Sequence, residues 1–277
     1  MARRTASASP RRTKPARQSP ARSVERALKI LLAVGKRGGG RGLGLLEIGQ
    51  EVGLHKSTAH RLVSVLLQEG FLHKDYEVER YKLGLSALDI GARFLANLTI
   101  RQLAAPYLSR LMAETDETVH LCILDEGEVV YIDKVESRGS VVVHTRIGGR
   151  QPAHCSAVGK AIFAYLPWAE VLSLLSRGMP ARTPKTITSP TRFREALREV
   201  RKLGYALSLE EGSEYINGVA APIFDHLGHP IAGIAISGLA QRLPTDRLRK
   251  IGGLVRTAAD AISTQAGYGA SERDLPS

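Results

Sequence analysis

The spacing of apolar residues is most regular in segment 45–71, LLEIGQEVGLHKSTAHRLVSVLLQEGF. It predicts two helices, because apolar positions recur every three or four residues on each side of Gly53. Glycine accepts the left-handed backbone of a tight turn, so Gly53 is expected to end the first helix. Small residues at Gly49 and Ala59 would let the two helices cross closely, which is typical of a helix-turn-helix. The apolar stripes are Leu45, Ile48 and Val52, followed by Ala59, Leu62 and Leu66.

The predicted second helix carries polar residues on the face opposite its apolar stripe. Hydroxyl groups and an arginine suit base edges and phosphates in a major groove, so we expect Thr58 and Arg61 to contact bases. The first turn also presents backbone N–H groups that attract phosphate, beside Lys56 and Ser57. An ordinary solvated helix face is the alternative interpretation. The candidate DNA-binding residues are Lys56, Ser57, Thr58, His60, Arg61, Ser64 and, in the following segment, Lys74.

Two β-rich runs follow this helix on either side of the polar turn DYEVER. Segments 70–74 and 81–83 are short and apolar enough to pair as a hairpin. A hairpin wing beside the second helix favours DNA contact over a merely solvated face. The helical pattern at 86–97 then predicts a linker to the rest of the chain.

The C-terminal two-thirds change from helical to strand-like spacing. Strand-like runs occur in two groups, and helical segments lie at their edges, so we predict an α+β domain with a mainly antiparallel sheet. Ser189 and Pro190 form a good start for one of the helices. The runs are HLCILD, VVYIDKV and VVVHTRI, followed by YALSLE, GVAAPIFD and PIAGIAISG.

The chain resembles the IclR family of bacterial transcriptional regulators, in collinear order over roughly residues 23 to 267. The N-terminal resemblance lies in SVERALKILLAV, LEIGQEVGLHKSTAHRLV and GFLHKD…ERYKLG. It continues in ETVHLCILDEGEVVYIDKVES, IGGRQPAHCSAVGKAIFA, GYALSLEEGSEYINGVAAPIFD and IAGIAISG. The resemblance implies a winged helix-turn-helix joined by a linker helix to a GAF-like effector domain, and a dimer that pairs near the linker.

The resulting prediction is an α+β multidomain protein with five segments. Effector binding is expected to shift the populations of DNA-competent and incompetent arrangements through the linker helix. The segments are a disordered basic tail at 1–22, a winged helix-turn-helix at 23–84, a linker helix at 85–98, an effector-binding domain at 99–267 and a flexible C-terminal tail at 268–277.

Charge is concentrated at the N-terminal end, although the whole chain has a net charge of +12 and a pI near 10.0. Residues 1–23 contain seven Lys or Arg and no acidic residue, whereas residues 99–277 contain 21 basic and 19 acidic residues. A basic end on a nearly neutral domain is typical of a DNA-binding protein with a regulatory domain. An architectural DNA-binding protein driven by its tail is a rival that this balanced domain disfavours.

The location of the protein also follows from composition. The Arg- and Ser-rich tail lacks the apolar region of a secretory signal, and its composition is typical of a disordered arm, with a transit peptide as the alternative. No stretch approaches the roughly 18 apolar residues of a membrane helix. Cys122 and Cys155 provide no disulfide framework, which favours a reducing cytoplasm.

Four features invite enzymatic or metal-binding interpretations that the residues do not support. The pair Gly159-Lys160 suggests a nucleotide-binding P-loop. Such a loop would also need a glycine at the position of His154 and a Ser or Thr directly after Lys160. Cys155 adjoins His154, but neighbouring side chains on an extended segment point apart. The histidines at 120, 144 and 154 lack metal-ligand spacing. Glu210 and Glu211 have no recognisable catalytic partners, and we expect them either to be solvated loop carboxylates or to position the loop over the pocket. We therefore predict no catalytic residues, no metal and no cofactor.

The residues alone favour an ordinary structural helix start near Ala157, but the resemblance implies that an effector binds there. Its carboxylate would be held by backbone N–H groups. Some family members that bind small keto acids have Asp, Cys and Ser at the positions of Ser208, Gly218 and Ala235. This chain differs at all three, so we expect a pocket that is less acidic, more apolar and somewhat roomier at Gly218. Such a pocket favours a larger organic acid, such as an aromatic or sugar-derived one, over a two-carbon acid. The implied effector-binding residues are Ala157, Val158, Ser208, Gly218, Ala235 and Ser237.

These observations predict a cytoplasmic transcriptional regulator that controls a catabolic operon in response to a small organic acid. Its expected partners are double-stranded operator DNA, a carboxylic acid effector and a second copy of itself, as a homodimer or a dimer of dimers. A metabolite-processing enzyme or carrier with an accessory DNA-binding domain is the alternative.

Overall fold

A computed structural model describes residues 20–38, 40–137 and 145–269. Most of the predicted strand VVVHTRI and all of residues 1–19 lie outside the described residues. The chain divides into two units, with the boundary between Phe94 and Leu95. No helix in the described part is long and apolar enough to cross a membrane.

The first unit has the predicted winged helix-turn-helix. Helix α1 begins at Pro20, within the segment 1–22 that was expected to be a tail, since proline is favoured in the first turn of a helix. The hairpin pairs Leu72 with Leu83 in antiparallel register. The elements are α1 (Pro20–Arg37), α2 (Leu45–Val52), α3 (Lys56–Gln68), β1 (Leu72–Asp75), β2 (Arg80–Leu83) and α4 (Leu85–Ala96), whose last two residues belong to the second unit.

The turn between α2 and α3 has the geometry that its glycines predict. Gly53 ends α2 in the left-handed region at φ 67°, and its N–H donates to the carbonyl of Gln50. Gly49 lies where a Cβ atom would come within 3.0 Å of the Leu54 carbonyl oxygen. The two helices and α1 pack through a small core in which Ile48 and Ala59 are fully buried. This core fixes the direction in which α3 presents its outer face.

The second unit is built on one antiparallel sheet of six strands in the order β5-β4-β3-β8-β7-β6. This confirms the predicted α+β class. Its elements are α5 (Thr99–Thr115), β3 (Thr118–Asp125), β4 (Glu128–Val135), β5 (Arg150–Pro152), a short 3-10 turn (Ala153–Cys155), α6 (Ala157–Phe163), α7 (Trp168–Leu174), α8 (Pro190–Leu203), β6 (Ala206–Leu209), β7 (Ile216–Phe224), β8 (Pro230–Leu239) and α9 (Thr245–Gln265).

Helices cover both faces of this sheet. One apolar core joins the sheet to α5 and α9, and a second joins it to α6 and α8. Strand β7, which lies between β8 and β6, is therefore buried at every residue after Ile216, as expected of a strand packed on both sides. Helix α8 begins as predicted, because the Ser189 hydroxyl accepts the N–H of Arg192 and Pro190 occupies the first turn. The cavity described below lies on the α6 side of the sheet.

Candidate functional site

Helix α3 presents the predicted DNA-contacting side chains on its outer surface. Thr58 is half-buried, and the other candidates on this helix are exposed. Arg61 makes no side-chain hydrogen bond or ion pair with any residue in the described part of the chain. The Ser64 hydroxyl donates to the His60 carbonyl at 2.9 Å, so its proton is already used within the helix. The exposed candidates on α3 are Lys56, Ser57, His60, Arg61 and Ser64.

Lys74 differs from these residues because its charge is balanced within the wing. Its Nζ lies 2.5 Å from Glu79 Oε2 and 5.1 Å from the centre of the Tyr76 ring. The hydrogen bond to Glu79 raises the pKa of Lys74. The sequence indicated only a candidate DNA-binding residue at this position, since it could not show which residues of the hairpin lie beside Lys74.

The wing is tied to the helix-turn-helix by a second ion pair. Arg80 Nη2 on β2 lies 2.7 Å from Glu47 Oε2 on α2, and the same oxygen accepts the Gly44 N–H at 2.7 Å. Leu43 also pairs with Tyr81 as an additional β-bridge. These contacts hold the wing at a fixed position relative to α2.

A cavity of about 610 Å³ opens on the α6 side of the sheet in the second unit. This volume is within the range of small-molecule sites. The floor of the cavity is formed by buried residues, which include Ala157, Val158 and Ala235. The mouth is formed by three exposed residues, Arg146, Arg150 and Arg182. The cavity lining includes all six residues named from the resemblance, Ala157, Val158, Ser208, Gly218, Ala235 and Ser237.

Space in the cavity depends on a glycine at position 218. Gly218 pairs in register with Ser208 on one side and with Ser237 on the other. A Cβ atom there would lie 3.2 Å from the Ile236 carbonyl oxygen, 3.7 Å from the Ser237 Cβ and 4.0 Å from the Ala157 Cβ. A larger side chain at position 218 would therefore project between the sheet and the start of α6.

The start of α6 forms part of the cavity floor. The Ser156 hydroxyl accepts the Gly159 N–H at 2.8 Å and caps the helix. The N–H groups of Ala157 and Val158 belong to the first turn, where they have no partner within the helix. Glycine is required at position 159, because a Cβ atom there would come within 2.0 Å of the Ala153 carbonyl oxygen.

Lys160 is a structural residue rather than part of a nucleotide site. It is buried, and its ammonium group pairs with the buried carboxylate of Glu211. Burial lowers the pKa of Lys160, and the carboxylate opposes that shift. Glu211 precedes Gly212, which lines the cavity, so this pair joins α6 to a loop of the cavity wall. The sequence indicated a positioning role for this carboxylate but not its lysine partner.

His120 is a cavity residue that the sequence reasoning considered only as a metal ligand. Its Nε2 lies 2.9 Å from Ser237 Oγ. Its ring packs against the Tyr131 ring in a T-shaped arrangement, with 5.1 Å between the ring centres. Burial, with a smaller effect from Lys134, lowers the pKa of His120 to about 4. The imidazole is consequently neutral at neutral pH.

The other histidines do not join His120. His154 Nε2 lies 3.1 Å from the carbonyl oxygen of Pro180, and His144 lies outside the described residues. Within the described ranges, no group of three His, Cys, Asp or Glu residues is arranged to hold a metal ion. Cys155 contacts the cavity, but burial raises the pKa of its thiol to about 11, which keeps it protonated at neutral pH.

The architecture, a winged helix-turn-helix unit followed by an α+β unit with a ligand-sized cavity, defines a ligand-responsive DNA-binding transcriptional regulator. Residues 23–75 match the IclR helix-turn-helix domain, and residues 92–264 match the bacterial transcriptional regulator IclR C-terminal domain. The chain therefore belongs to the IclR family, whose members are transcriptional regulators rather than enzymes.

Known relatives agree with this assignment. The chain is 35% identical to the transcriptional repressor IclR of Escherichia coli strain K12, over 88% of this chain and 90% of the relative. It is 36% identical to the regulator KdgR of the same organism, over 89% of this chain and 93% of that relative. Among solved structures, it superposes on the Thermotoga maritima IclR with a TM-score of 0.74 at 33% identity, covering 90% and 100% of the chains.

A further structural relative was solved with a ligand. It is an IclR homolog from Microbacterium hydrocarbonoxydans in complex with 4-hydroxybenzoate. The TM-score is 0.77 at 25% identity, covering 88% of this chain and 98% of that one.

Proposed function

We propose that this protein is a homodimeric repressor that acts in the cytoplasm, binds its operator through α3 and releases it when a carboxylic acid occupies the 610 Å³ cavity. The observation that carries the proposal is the charge of the cavity. Its described lining contains three arginines and no aspartate or glutamate. An anion would be attracted by this lining, whereas a cation would be repelled.

The carboxylate would lie at the cavity floor. The N–H groups of Ala157 and Val158 would donate to it, and the Ser237 hydroxyl would add a third donor. Ser208 would contribute differently from Ser237, because its hydroxyl already donates to the Cys155 carbonyl at 3.2 Å. It is available to accept a hydrogen bond from a hydroxyl of the effector.

The body of the acid would be larger than a two-carbon keto acid. The space left open at Gly218 supports this, and so does the cavity volume of about 610 Å³. An aromatic or sugar-derived acid would fill such a volume. The complex of the Microbacterium relative with 4-hydroxybenzoate, an aromatic acid, supports the same class of effector for this chain.

The DNA-binding half of the proposal depends on two copies of α3. Thr58 and Arg61 would read base edges, while Lys56, Ser57, His60 and Ser64 would surround them at the groove. Lys74 would contact phosphate only if DNA displaced it from Glu79. Exposed apolar residues support dimer formation, because a second copy would remove them from water. These residues are Val24, Leu28 and Leu32 on α1 and Leu85, Leu88, Ile90 and Phe94 on α4.

Repression is supported by the functions of the relatives, several of which are named repressors. Release of the operator requires that the acid bind one arrangement of the protein more tightly than the other. Tight binding alone would not change DNA affinity.

Thermal-shift titration tests directly whether a carboxylic acid binds in the cavity. We expect benzoate, 4-hydroxybenzoate or gluconate to raise the melting temperature of the wild type, and glyoxylate to have little effect. The same acids should not stabilise Gly218→Leu, whose side chain would fill the cavity. Stabilisation by glyoxylate alone would refute the size argument, and a normal response of Gly218→Leu would show that the acid binds elsewhere. Sedimentation equilibrium of the ligand-free protein tests the dimer.

A further inference from the structure

The three arginines that line the cavity do not have equivalent surroundings. Arg150 Nη1 lies 3.2 Å from Glu128 Oε2, and its Nη2 bonds to Asp125, so its charge is neutralised by two carboxylates. Arg146 and Arg182 make no side-chain hydrogen bond or ion pair with a residue in the part of the chain that the structure describes. Among the described residues, the positive charge at the cavity mouth that no carboxylate neutralises is therefore that of Arg146 and Arg182.

The backbone that carries Arg182 is held in one conformation. The Thr186 hydroxyl accepts the N–H groups of Arg182 and Thr183 at 3.0 and 2.9 Å, and donates to the Glu211 carbonyl at 2.6 Å. The Thr183 hydroxyl donates to the Glu210 carbonyl at 2.7 Å. These bonds attach the turn to the loop that forms one wall of the cavity. An arginine on such a backbone loses less conformational freedom when it binds a ligand.

Arg146 is also carried by an anchored turn. The Gly149 N–H donates to the Arg146 carbonyl at 2.9 Å, and the Gly148 N–H donates to the carbonyl of Tyr131 on β4 at 2.7 Å. Position 149 has little room for a side chain, since a Cβ atom there would lie 2.8 Å from the Arg146 carbonyl oxygen. Two arginines that have no partner among the described residues are thus presented at the same cavity mouth by two different anchored turns.

We infer that the effector is a dianion whose second acidic group, a carboxylate or a phosphate, binds Arg146 and Arg182 at the mouth. This inference rests on the proposed function, in which the first carboxylate occupies the floor at Ala157 and Val158. The floor supplies neutral donors and the mouth supplies full positive charges, so the two ends suit different acidic groups of one molecule. Guanidinium groups bind carboxylate and phosphate in a fork geometry that a monoacid would leave unused.

Matched pairs of acids test the inference by isothermal titration calorimetry on the full-length protein. Each pair has one carbon skeleton with one or two carboxylates: hexanoate and adipate, 4-methylbenzoate and terephthalate, gluconate and glucarate. We expect the diacid of at least one pair to bind the wild type about ten times more tightly than its monoacid, which corresponds to one charge-assisted contact.

Three single variants assign the effect to the arginines. Arg182→Gln and Arg146→Gln should each raise the Kd of the diacid about tenfold and leave that of the monoacid unchanged. Arg198→Gln is the matched control, because Arg198 is exposed on α8 and does not line the cavity. It removes the same charge and should change neither Kd. Unfolding midpoints measured without ligand establish that each variant is folded.

The outcomes separate this inference from the proposed function. Equal affinity for monoacid and diacid, unchanged in Arg182→Gln and Arg146→Gln, would overturn the dianion while leaving the carboxylic acid in place. An equal weakening by Arg198→Gln would overturn it as well, because the effect would then be one of net charge. If no acid of any pair bound the wild type, the proposed function would fail and this inference would fail with it.

Discussion

His120 Nε2 and Ser237 Oγ lie 2.9 Å apart across neighbouring strands of the sheet, at the wall of the effector cavity. His120 Nδ1 is buried and has no hydrogen-bond partner in the described part of the chain. A buried N–H without an acceptor is costly, so the neutral ring is expected to carry its proton on Nε2 and donate it to Ser237. The Ser237 proton then remains available for an acidic ligand. His120 is in this way a positioning residue for the proposed donor.

The acid stability of the second unit should depend on His120. Its pKa is lowered from 6.5 to about 4 in the folded protein, so between these values the unfolded chain binds a proton that the folded chain does not. The contribution of neutral His120 to the free energy of unfolding is fully present above pH 6.5. It should fall by about 3 kcal/mol as the pH drops to 4. Urea denaturation of wild type and His120→Gln at pH 7 and pH 4.5 measures this difference. An equal loss of stability in both proteins would show that His120 is not protected from protonation.

The buried pair between Lys160 and Glu211 should be needed for a stable second unit. Glu211→Gln would leave a buried ammonium group without a counter-charge, and we expect a loss of about 3–5 kcal/mol. The double variant Lys160→Met with Glu211→Gln removes both charges and should recover much of that loss. Urea denaturation of the two variants and the wild type gives the comparison. A loss below about 1 kcal/mol in Glu211→Gln would mean that water reaches the pair.

Operator recognition should depend on Arg61. Its guanidinium is exposed on α3 without an internal partner among the described residues, so Arg61→Ala should cost about 1–3 kcal/mol of specific binding. Fluorescence anisotropy with operator and random duplexes measures the ratio of the two affinities. Arg177→Ala in the second unit removes the same charge and should preserve that ratio. Arg61 would be removed from the reading face if its variant bound operator as the wild type does.

The basic tail should add affinity without adding specificity. Deletion of residues 2–19 leaves α1 complete and removes six Lys or Arg residues. Lys and Arg displace counterions from phosphates, so the dependence of log Kd on log salt should become shallower for operator and random DNA alike. Titrations at several salt concentrations give both slopes. If the affinity ratio collapsed at constant salt, the tail would be reading sequence.

Most of the fold could be predicted because its elements carry local patterns. The helix-turn-helix is visible in two apolar stripes around Gly53, and strands β3, β4, β6, β7 and β8 are visible as β-rich runs. Strand β5, at Arg150–Pro152, is outside the predicted runs. Helix α1 begins at Pro20, inside the segment 1–22, because the basic composition by which that segment was assigned to a tail does not mark where a helix starts.

The chemistry of the cavity could be predicted only in part. The resemblance supplied residues such as Ala157 and Ser237, and these line one cavity. It did not supply His120, which meets Ser237 only across 117 residues of sequence, or the pairing of Lys160 with Glu211 across 51. It also did not supply the arginines of the mouth, Arg146, Arg150 and Arg182, which come from separate segments of the chain. Such contacts depend on the tertiary fold and leave no periodic signal in the chain.

The central claim is that an acid in the cavity controls operator binding through α3. The most direct measurement is an anisotropy titration of operator DNA with wild type and Gly218→Leu, each with and without the best-binding acid. We predict that the acid weakens operator binding by the wild type at least tenfold. Gly218→Leu should bind operator with wild-type affinity whether or not the acid is present. Unchanged operator affinity of the wild type at a saturating acid concentration would contradict the account.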